Sequence, residues 1–570
     1  MARKPANLIS GVDDTPSPSV VLVLGLQHLV VVCGASVFAV AVVRGIGGTT
    51  GQAELLVQVS LLVAGIGTML QALRTGPVGS GYLCPHVCGP SYLPASLLAA
   101  QTGGLSLMLG MTVLAGCFEA LFARVLPRLR ALFPPEIVGL VVMIVGLSLL
   151  PIAVSGFVGI TATDPVSEVR ELLVAGLTLV VMVGLSVWGQ GAWRLYGVLI
   201  GLGAGYCAAY VGGVLTALDL QSLHQAPVLA APSVGTLGWS FDLALLVPFL
   251  LTGLASALKS VGDLTVCQKT NDAEWKRPNM GSISRGLLAE AIGTITAGLL
   301  GGVGQSTSST NIAVSLASGA TSRVIAFAAG SLLIGCAFLP KVATVFALMP
   351  TPVMGALLIF TASFMLIAGI QLISSRMLDT RKTFVVGISL LFGLSVNVLP
   401  QVYAQVPAQL APLFSSPLSV TLVVAIGLNL LFRIGIAVRR SFAFVPGLDS
   451  PDKVIAFMET CGAAWGARPD VISRGSTLLT EFFEGLVGAG LAKGPLQTEV
   501  SFDEFNLDID LWYEGGLIEL PVTHPPTPDE LLSDNTAVAR LSAFLVSRSA
   551  DGVTSELHDG RCHVRFHLEH

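Results

Sequence analysis

Long apolar runs recur through the first three quarters of the chain. Each is about 20 residues long, enough for a helix to cross the roughly 30 Å hydrocarbon core of a bilayer. Helices are the elements that such runs form in lipid, because they satisfy their backbone hydrogen bonds within one segment. We therefore predict an α-helical polytopic membrane protein with about fourteen transmembrane spans. Their approximate bounds are 20–43, 54–73, 82–100, 104–122, 135–156, 168–188, 193–214, 241–260, 285–302, 308–320, 323–340, 352–371, 382–399 and 417–435.

Charged residues are scarce and unevenly placed. They make up 11% of the chain, against about 25% in soluble domains. Residues 1–440 hold 22 Lys and Arg and 15 Asp and Glu (net +7), whereas residues 441–570 hold 8 and 20 (net −12). The sequence therefore predicts an N-terminal tail (1–19), a transporter-like membrane domain (20–436) and an acidic soluble domain (441–570). Neither part has the basic excess of a nucleic-acid-binding protein.

The basic residues between the spans predict the orientation. With a cytoplasmic N-terminus, the loops on that side carry Arg74, Arg124, Arg128, Arg130, Arg194, Lys269, Lys276, Arg277, Arg285, Arg323, Arg376, Arg381, Lys382, Arg439 and Arg440. The other side holds little beyond Arg44, Arg170 and Lys341. This asymmetry agrees with the positive-inside rule, and an even number of spans places both termini in the cytoplasm. Residues 1–19 lack the apolar run of a cleavable signal peptide.

Two sequence patterns repeat seven spans apart. Pro134–Gly139 is echoed by Pro350–Gly355, and each opens an apolar run. Gly76–Gly79, before the third span, is echoed by Gly301–Gly304 before the tenth. Repeats with an odd number of spans insert with opposite topology, and matched broken helices in inverted repeats are typical of transporters. We predict repeats over 20–215 and 241–436, with broken spans at 82–100 and 308–320.

The broken spans are the predicted substrate site. Irregular backbone at membrane depth is tolerated where it is buried in protein or lines a wet cavity. The short helices that follow would direct their N-terminal N–H groups at a solute between them. Ser309, Thr310 and Asn311 would supply hydroxyl and amide groups from the tenth span, and Cys84 lies in the third. Some of these hydroxyl groups are expected to bond only to their own helix.

Ionisable residues inside the spans narrow this site. His28 lies in the first span, and Lys259 and Asp263 lie four residues apart in the eighth, on one helical face. Lys259 and Asp263 either pair only with each other, or contact a solute or relay a proton. Glu119 and Glu290 are lesser candidates, which we interpret as structural or interfacial.

Metal, cofactor and enzymatic chemistry have little support in the sequence. Cys84, His86 and Cys88 are close together, but no second ligand cluster accompanies them, so we predict no metal site. The nine cysteines are scattered and imply no disulfide framework. No nucleophile–base constellation is present, so we predict neither an enzyme nor a cofactor.

Five segments carry a family resemblance. They are Gly25–His28 in the first span, Leu126–Gly139 before and in the fifth, Gly262–Asp263 in the eighth, Arg285–Glu290 in the ninth and Thr310–Arg323 around the tenth. In order and spacing they resemble the nucleobase–ascorbate transporter (nucleobase:cation symporter-2) family of xanthine and uracil permeases. The resemblance covers roughly residues 20–436.

The resemblance implies a fold and a mechanism. It implies two inverted repeats of seven spans, divided into a core domain (spans 1–4 and 8–11) and a gate domain (spans 5–7 and 12–14). Short strands in the broken spans would flank the substrate, and the core would move against the gate. Symport of protons or sodium and dimerisation are usual in such proteins. On this basis Gln27, His28 and Asp263 are assigned to proton coupling or to a polar network of the core.

Two positions depart from the family pattern. Lys259 stands where the family has a carboxylate that hydrogen-bonds the nucleobase, and Thr310 stands where Gln or Glu is usual. An ammonium group only donates hydrogen bonds, so Lys259 favours a solute that presents acceptors or negative charge. We therefore expect deprotonated xanthine, urate or another organic anion to suit the site better than neutral uracil.

The tail is predicted to be α+β. Its predicted helices are 452–465, 470–487 and 529–547, and its predicted strands are 499–502, 507–513, 517–521 and 562–567. This order is weakly similar to the ATPase domain of histidine kinases and anti-sigma factors. Where that family has Asn four residues after Glu, this chain has Gly485 after Glu481, so we predict a regulatory or docking module without ATPase activity.

The leading hypothesis is a secondary active transporter of the cell membrane. It would import a nucleobase such as xanthine, urate or uracil together with a proton or another cation. One alternative is an anion carrier of similar fold, which Lys259 favours. Another is a transporter-derived sensor that signals through the tail to a cytoplasmic protein.

Overall fold

The computed structural model divides into two compact units, a membrane unit (Met1–Asn429) and a C-terminal unit (Leu430–His570). It describes residues 4–6, 8–129, 132–160, 168–190, 193, 196–275, 278–374, 378, 380–403, 405–407, 414, 416–432, 438–465, 467–503, 506–527, 535–558 and 561–569. Some residues behind the orientation prediction lie outside this part of the chain, namely Arg130, Arg194, Lys276, Arg277 and Arg376. The last residues of the fourteenth predicted span, 433–435, lie outside it as well.

The membrane unit is helical apart from two three-residue strands. The first half of its order is α1 (Pro18–Gly34), α2 (Val37–Gly45), α3 (Thr50–Gln71), β1 (His86–Cys88), α4 (Leu93–Leu129), α5 (Pro135–Ser148), α6 (Leu150–Phe157), α7 (Val169–Trp188), α8 (Gly197–Val211) and α9 (Ala217–Gln225). The second half is α10 (Leu246–Asn271), α11 (Met280–Leu300), β2 (Gln305–Thr307), α12 (Ser309–Ser318), α13 (Arg323–Ala337), α14 (Pro340–Ala347), α15 (Thr351–Ile373), α16 (Thr380–Val398), α17 (Pro400–Tyr403) and α18 (Pro417–Phe432).

Helix lengths support a membrane fold. In the described part of the chain, nine helices are long and apolar enough to cross a bilayer. A tenth span results if α13 and α14, which meet at an angle of 81°, count as one. A helix lies in every predicted span, but several are too short to cross alone. The described part of the chain therefore has the fold of a helical membrane protein with nine or ten long apolar helices.

The third and tenth predicted spans are broken, as the glycine and proline pattern indicated. The third consists of β1, a 3₁₀ turn over Pro90–Tyr92 and the start of α4, and the tenth consists of β2 and α12. Helix α4 is itself interrupted at Gly103 and Gly104, where Gly104 has φ 74°. That conformation is in the left-handed region, which glycine adopts without a Cβ clash.

Packing brings distant segments together around the two strands. Helix α4 packs along α11, and α3 packs along α13. Helix α10 packs on α4, and α1 packs on α13. Strands β1 and β2 pair antiparallel, with His86 opposite Thr307 and Cys88 opposite Gln305. The site is thus assembled from segments more than 200 residues apart.

The N-terminal segment is tied to the turn between α12 and α13. The backbone N–H groups of Ile9 and Ser10 donate to the Gly319 carbonyl at 2.8 and 3.1 Å. Thr321 N–H in turn donates to the Ser10 carbonyl at 2.9 Å. These bonds satisfy carbonyl and amide groups at the C-terminal end of α12, which would otherwise lack partners.

The C-terminal unit is a two-layer α+β domain. Its elements are β3 (Val438–Phe444), α19 (Pro451–Trp465), α20 (Pro469–Gly488), β4 (Leu496–Phe502), β5 (Asn506–Tyr513), α21 (Asn535–Ser549), β6 (Gly552–His558) and β7 (Arg561–Glu569). The strands form one antiparallel sheet in the order β3-β4-β5-β7-β6. Alternate residues of the central strands are buried, so one sheet face packs against helices around Phe482 and Phe566.

Three predictions for this unit need correction. Strands β3 and β6 were not predicted, and the strand predicted at 517–521 is wrong. There, Leu520 N–H donates to Ser555 Oγ instead of to another strand, and Pro521 has no N–H to donate. The third helix begins at Asn535, and the start of its predicted range, 529–534, lies outside the described residues.

Candidate functional site

The pairing of β1 with β2 creates a polar site inside the membrane unit. All six strand residues are buried, although four of them carry polar side chains. Ser308 caps α12 directly after β2, and its side chain accepts from Asn311 N–H. The N-terminus of α12 therefore lies at the strand pair, where its partial positive charge favours an acceptor or an anion.

An ion pair lies next to these strands. Lys259 Nζ is 2.9 Å from Asp263 Oδ2 on the next turn of α10 and also donates to the Thr307 carbonyl at 2.6 Å. Lys259 is 5% exposed and Asp263 is 8% exposed. Asp263 accepts two further hydrogen bonds, from Thr307 Oγ1 at 2.6 Å and from Ser309 Oγ at 2.7 Å. The ammonium and the carboxylate thus neutralise each other.

The ion pair joins α10 to β2 and α12. Ser260, beside Lys259, places its Oγ 2.7 Å from Thr307 Oγ1. Thr307 therefore contacts α10 through both its carbonyl and its hydroxyl. Buried ions remain favourable when their hydrogen-bonding capacity is filled, and these contacts fill most of that capacity. One of the three Lys259 ammonium protons has no partner within this group.

A second polar pair joins α1 to α12. His28 Nδ1 donates to Asn311 Oδ1 at 2.8 Å, and both residues are buried. The Asn311 amide donates in turn to Ser308 Oγ at 2.9 Å. Ser315 Oγ lies 3.5 Å from the other His28 ring nitrogen. Asn311 therefore connects the first span to the N-terminal cap of α12.

The structure separates the remaining predicted site residues from this network. Thr310 is exposed, and it takes no part in the hydrogen-bond network around Lys259 and Asp263, although it follows Ser309 directly. Cys84 is completely buried beside Cys267 and near Asp263. The side-chain oxygen of Gln27 is buried without a hydrogen-bond partner. Lys259, Asp263 and Ser309 are brought together directly, and His28 pairs with Asn311.

Sequence reasoning missed several members of the network. Ser256 and Ser260 follow the helical spacing of Lys259 and Asp263, which is the signal that could have identified them. Ser256 Oγ donates to Glu290 Oε1 at 2.6 Å. Tyr92 Oη donates to Glu119 Oε1 at 2.6 Å. The carboxyl groups of Glu119 and Glu290 are thus each held by a hydroxyl group inside the membrane unit.

The short Cys-His-Cys segment does not form a metal site in this structure. His86 backbone N–H donates to Thr68 Oγ1 at 3.0 Å, and neither ring nitrogen has a hydrogen-bond partner. Within the ranges that the structure describes, no group of three or more His, Cys, Asp or Glu residues is arranged to hold a metal ion.

The membrane unit is similar in sequence to known permeases. The xanthine/uracil permease model, described as a permease family, matches residues 19–402. Xanthine permease XanP of Escherichia coli (strain K12) is 25% identical over 441 residues, covering 75% of this chain and 95% of that protein. Uric acid permease PucJ of Bacillus subtilis (strain 168) is 28% identical over 425 residues, covering 73% and 93%. Among solved structures, the murine Slc26a9 anion transporter in its inward-facing state has a TM-score of 0.48 at 13% identity, covering 77% of this chain and 72% of that one.

Proposed function

Because the chain belongs to the permease family whose model spans residues 19–402, we propose that it imports a purine nucleobase as a secondary active transporter of the cytoplasmic membrane. The observation that carries this proposal is the buried Lys259–Asp263 pair against the strand pair, because it places charge and hydrogen-bonding groups at a break in two helices. Relatives named for xanthine and uric acid support the purine class.

The chemistry of the site favours a solute with negative charge or several acceptors. The unused Lys259 proton and the N-terminus of α12 both act as positive partners. Ser309 and Asn311 stand at that N-terminus and would orient the solute by hydrogen bonds. Exposed Thr310, beside them, would contact it from the open side. Deprotonated xanthine and urate have carbonyl oxygens and ring charge that match these donors.

Two packing relations support an inverted repeat. Helices α3 and α13 form spans 2 and 11, and α11 and α4 form the spans seven positions away, 9 and 4. The α3–α13 pair and the α11–α4 pair are both in extensive contact. The same shift exchanges α1–α13 with α10–α4, which are also in contact. We propose fourteen spans in two inverted repeats of seven, with both termini in the cytoplasm. Core and gate domains, a homodimer and a coupling proton or sodium ion follow from the family.

For the C-terminal unit we propose a regulatory or docking role. It has its own apolar core, which is formed by residues from α20 and the central strands. Glu481 lies on α20, and the residue four positions later is Gly485, so the side chain expected of a nucleotide-binding helix is missing. A cytoplasmic protein would then be its partner.

The experiment that tests the transport proposal is ligand binding to the purified full-length protein. Xanthine, urate, hypoxanthine, uracil, sulfate and bicarbonate are compared by thermal shift at two pH values, since a ligand that binds the native state raises Tm. Stabilisation by xanthine or urate, stronger where the purine is anionic, is the expected result. Stabilisation by the inorganic anions alone would overturn the proposed substrate class.

Lys259→Glu tests the direct contact. A carboxylate at this position would accept hydrogen bonds from ring N–H groups, so preference should move from urate toward neutral uracil. Lys453→Glu is the matched control, because it makes the same charge change at a half-exposed lysine of the C-terminal unit. Unchanged selectivity in Lys259→Glu would contradict a contact between Lys259 and the solute.

A further inference from the structure

The C-terminal unit contains a cavity of about 300 Å³, which lies between the segment after β3 and the C-terminal half of α20. Its walls are mostly apolar and include Phe444, Val454, Phe483 and Val487. The rings of Phe444 and Phe483 are buried, with 4.9 Å between their centroids. An apolar cavity of this size with a few polar groups is typical of a small-molecule site. It is called the α20 cavity below.

The wall opposite α20 is a turn that its own hydrogen bonds hold in place. Val445 N–H donates to Asp449 Oδ2 at 2.8 Å. The N–H groups of Leu448 and Asp449 donate to the Val445 carbonyl at 3.1 and 3.0 Å. Gly447, inside the turn, has φ 80°, a conformation that glycine adopts without a Cβ clash. The cavity is therefore shaped before a ligand enters, so binding does not have to order this segment.

A hydroxyl group in the wall of the α20 cavity has no hydrogen-bond partner. Helical threonines can donate to the carbonyl four residues earlier, and Thr477 of α20 does so to Ser473 at 2.9 Å. Thr480, three residues later, lines the cavity, and its Oγ1 atom is buried without a partner in the part of the chain that the structure describes. Because a buried hydroxyl group without a partner is costly, a ligand that hydrogen-bonds to Thr480 would relieve that cost.

The charges around the α20 cavity favour a cation. Glu484 lies one turn after Thr480 and also lines the cavity; its side chain is exposed, and it makes no ion pair with a described Lys, Arg or His. The other carboxylate of the lining, Asp449, is already neutralised by Lys453, whose Nζ lies 2.8 Å from both of its oxygens. Residues 441–570 carry a net charge of −12. A cation is therefore attracted to this site, and an anion is repelled.

We propose that the α20 cavity binds a small apolar amine. Its apolar body would pack against Phe444 and Phe483, and its ammonium group would donate to Thr480 Oγ1 and to the Glu484 carboxylate. Thr480 and Glu484 can act on one group because residues four positions apart are neighbours on a helix surface. The binding site lies within the C-terminal unit and is independent of purine transport. Its regulatory meaning alone rests on the role proposed for that unit.

Calorimetric titration of the full-length protein in lipid nanodiscs tests the class of ligand. Phenethylamine is compared with phenethyl alcohol and phenylacetate, which share its phenyl ring but are neutral and anionic, and empty nanodiscs correct for partition into lipid. Phenethylamine should bind about tenfold more tightly than the alcohol, because hydrogen bonds between charged groups are the stronger ones. Phenylacetate should bind least. A Kd for phenethylamine weaker than about 1 mM, or binding of the alcohol or the anion that equals it, would overturn the proposal.

Two pairs of variants test the polar contacts. Glu484→Gln should weaken phenethylamine about tenfold and leave phenethyl alcohol unchanged. Glu481→Gln is its matched control, because it removes the same charge from the same helix outside the cavity lining. Thr480→Val should weaken phenethylamine about fivefold, whereas Thr477→Val should bind as the wild type does, because the Thr477 hydroxyl is bonded to its own helix. Equal binding within both pairs would contradict the proposed contacts.

Filling the cavity tests its location. Gly488 lines the cavity, and nothing lies within 4 Å of a Cβ added there, so Gly488→Met can place its side chain in the cavity without a backbone clash. This variant should lose phenethylamine binding and keep the wild-type unfolding temperature. Binding retained by Gly488→Met, or displacement of phenethylamine by xanthine, would overturn the proposed location. A wild type that binds phenethylamine but no purine would contradict the transport proposal alone.

Discussion

At the scale of single residues, the ion pair of Lys259 and Asp263 decides the character of the site. Burial of an unpaired ion costs several kcal/mol, and the gain from pairing offsets that cost only with good geometry and filled hydrogen bonds. Thr307 and Ser309 supply those hydrogen bonds. A lysine is thus accommodated where the family resemblance implies a carboxylate, because its neighbours provide the counter-charge.

A double-mutant cycle tests this pairing. Lys259→Met or Asp263→Asn alone should destabilise the membrane unit by about 3–5 kcal/mol, because each leaves one uncompensated buried ion. The double variant should be clearly less destabilised than the sum of the two, as for directly coupled residues. Thermal unfolding of the purified protein measures all three. Additive losses would contradict the pairing.

The C-terminal unit provides a surface control for the cycle. Lys453 and Asp449 have the same four-residue spacing, with 2.8 Å between Nζ and Oδ2, but Lys453 is half exposed. The hydrogen bond from Lys453 holds the pKa of Asp449 below its usual range. The contribution of this pair is therefore present at neutral pH and is lost only as the pH falls below about 4. Lys453→Met should leave the unfolding temperature at pH 7 almost unchanged.

At the scale of elements, close backbone approach sets the position of β1 and β2. Gly89 N–H donates to the Gly304 carbonyl at 2.8 Å, just beyond the paired strands. The buried Tyr92 ring packs against Gly304, where a Cβ would lie 2.6 Å from ring carbon Cγ. Tyr92 also donates a hydrogen bond to Glu119 of α4, so this contact links the strand pair to that helix.

Gly304→Ala should therefore disturb the site. The added methyl group must displace the Tyr92 ring or β2, and overpacking of this kind costs about 1–3 kcal/mol. We expect a lower unfolding temperature and reduced transport. Gly176→Ala in α7 is the control, because nothing lies within 4 Å of its added Cβ and alanine favours a helix. Equal behaviour of the two variants would contradict the close approach.

The N-terminal segment makes an independent prediction about α12. Deletion of residues 1–12 removes four backbone hydrogen bonds to the turn after α12, at a cost of about 2–4 kcal/mol. The unfolding temperature and the transport rate should both fall. Lys4→Ala is the control, because Lys4 pairs at the surface with Asp14 and bonds only within the segment. An unchanged deletion variant would show that α12 does not need this support.

At the scale of the whole molecule, the chain has two separate apolar cores. The membrane core and the core of the C-terminal unit share no residues. A carrier completes its transport cycle within the membrane unit, whereas a sensor needs its output domain. The independence of the cores therefore makes truncation an informative experiment.

Truncation after Phe432 should leave most purine uptake intact, measured in cells at matched membrane expression. Phe482→Ala in the full-length chain is the companion variant, because loss of this fully buried ring costs about 3–5 kcal/mol in the C-terminal core alone. Both variants should transport. Loss of uptake in both variants would assign the C-terminal unit a direct part in transport and would contradict a transport cycle confined to the membrane unit.

The sequence by itself determined the membrane class, the approximate helix positions and the two broken spans. These features depend on local physics, because apolar length, glycine and proline act within one segment. It also predicted that Lys259 and Asp263 lie on one face of a helix, because residues four positions apart are neighbours on a helix surface.

Only the tertiary structure decided which groups share one buried position. The pairing of His86 with Thr307 and of His28 with Asn311 joins residues more than 200 positions apart. Helix packing, not local pattern, brings Ser256 to Glu290 and Ser260 to Thr307. The sequence analysis missed strands β3 and β6 for the same reason. Both lie at the edges of the sheet, where strand formation depends on pairing with a neighbouring strand more than on local sequence.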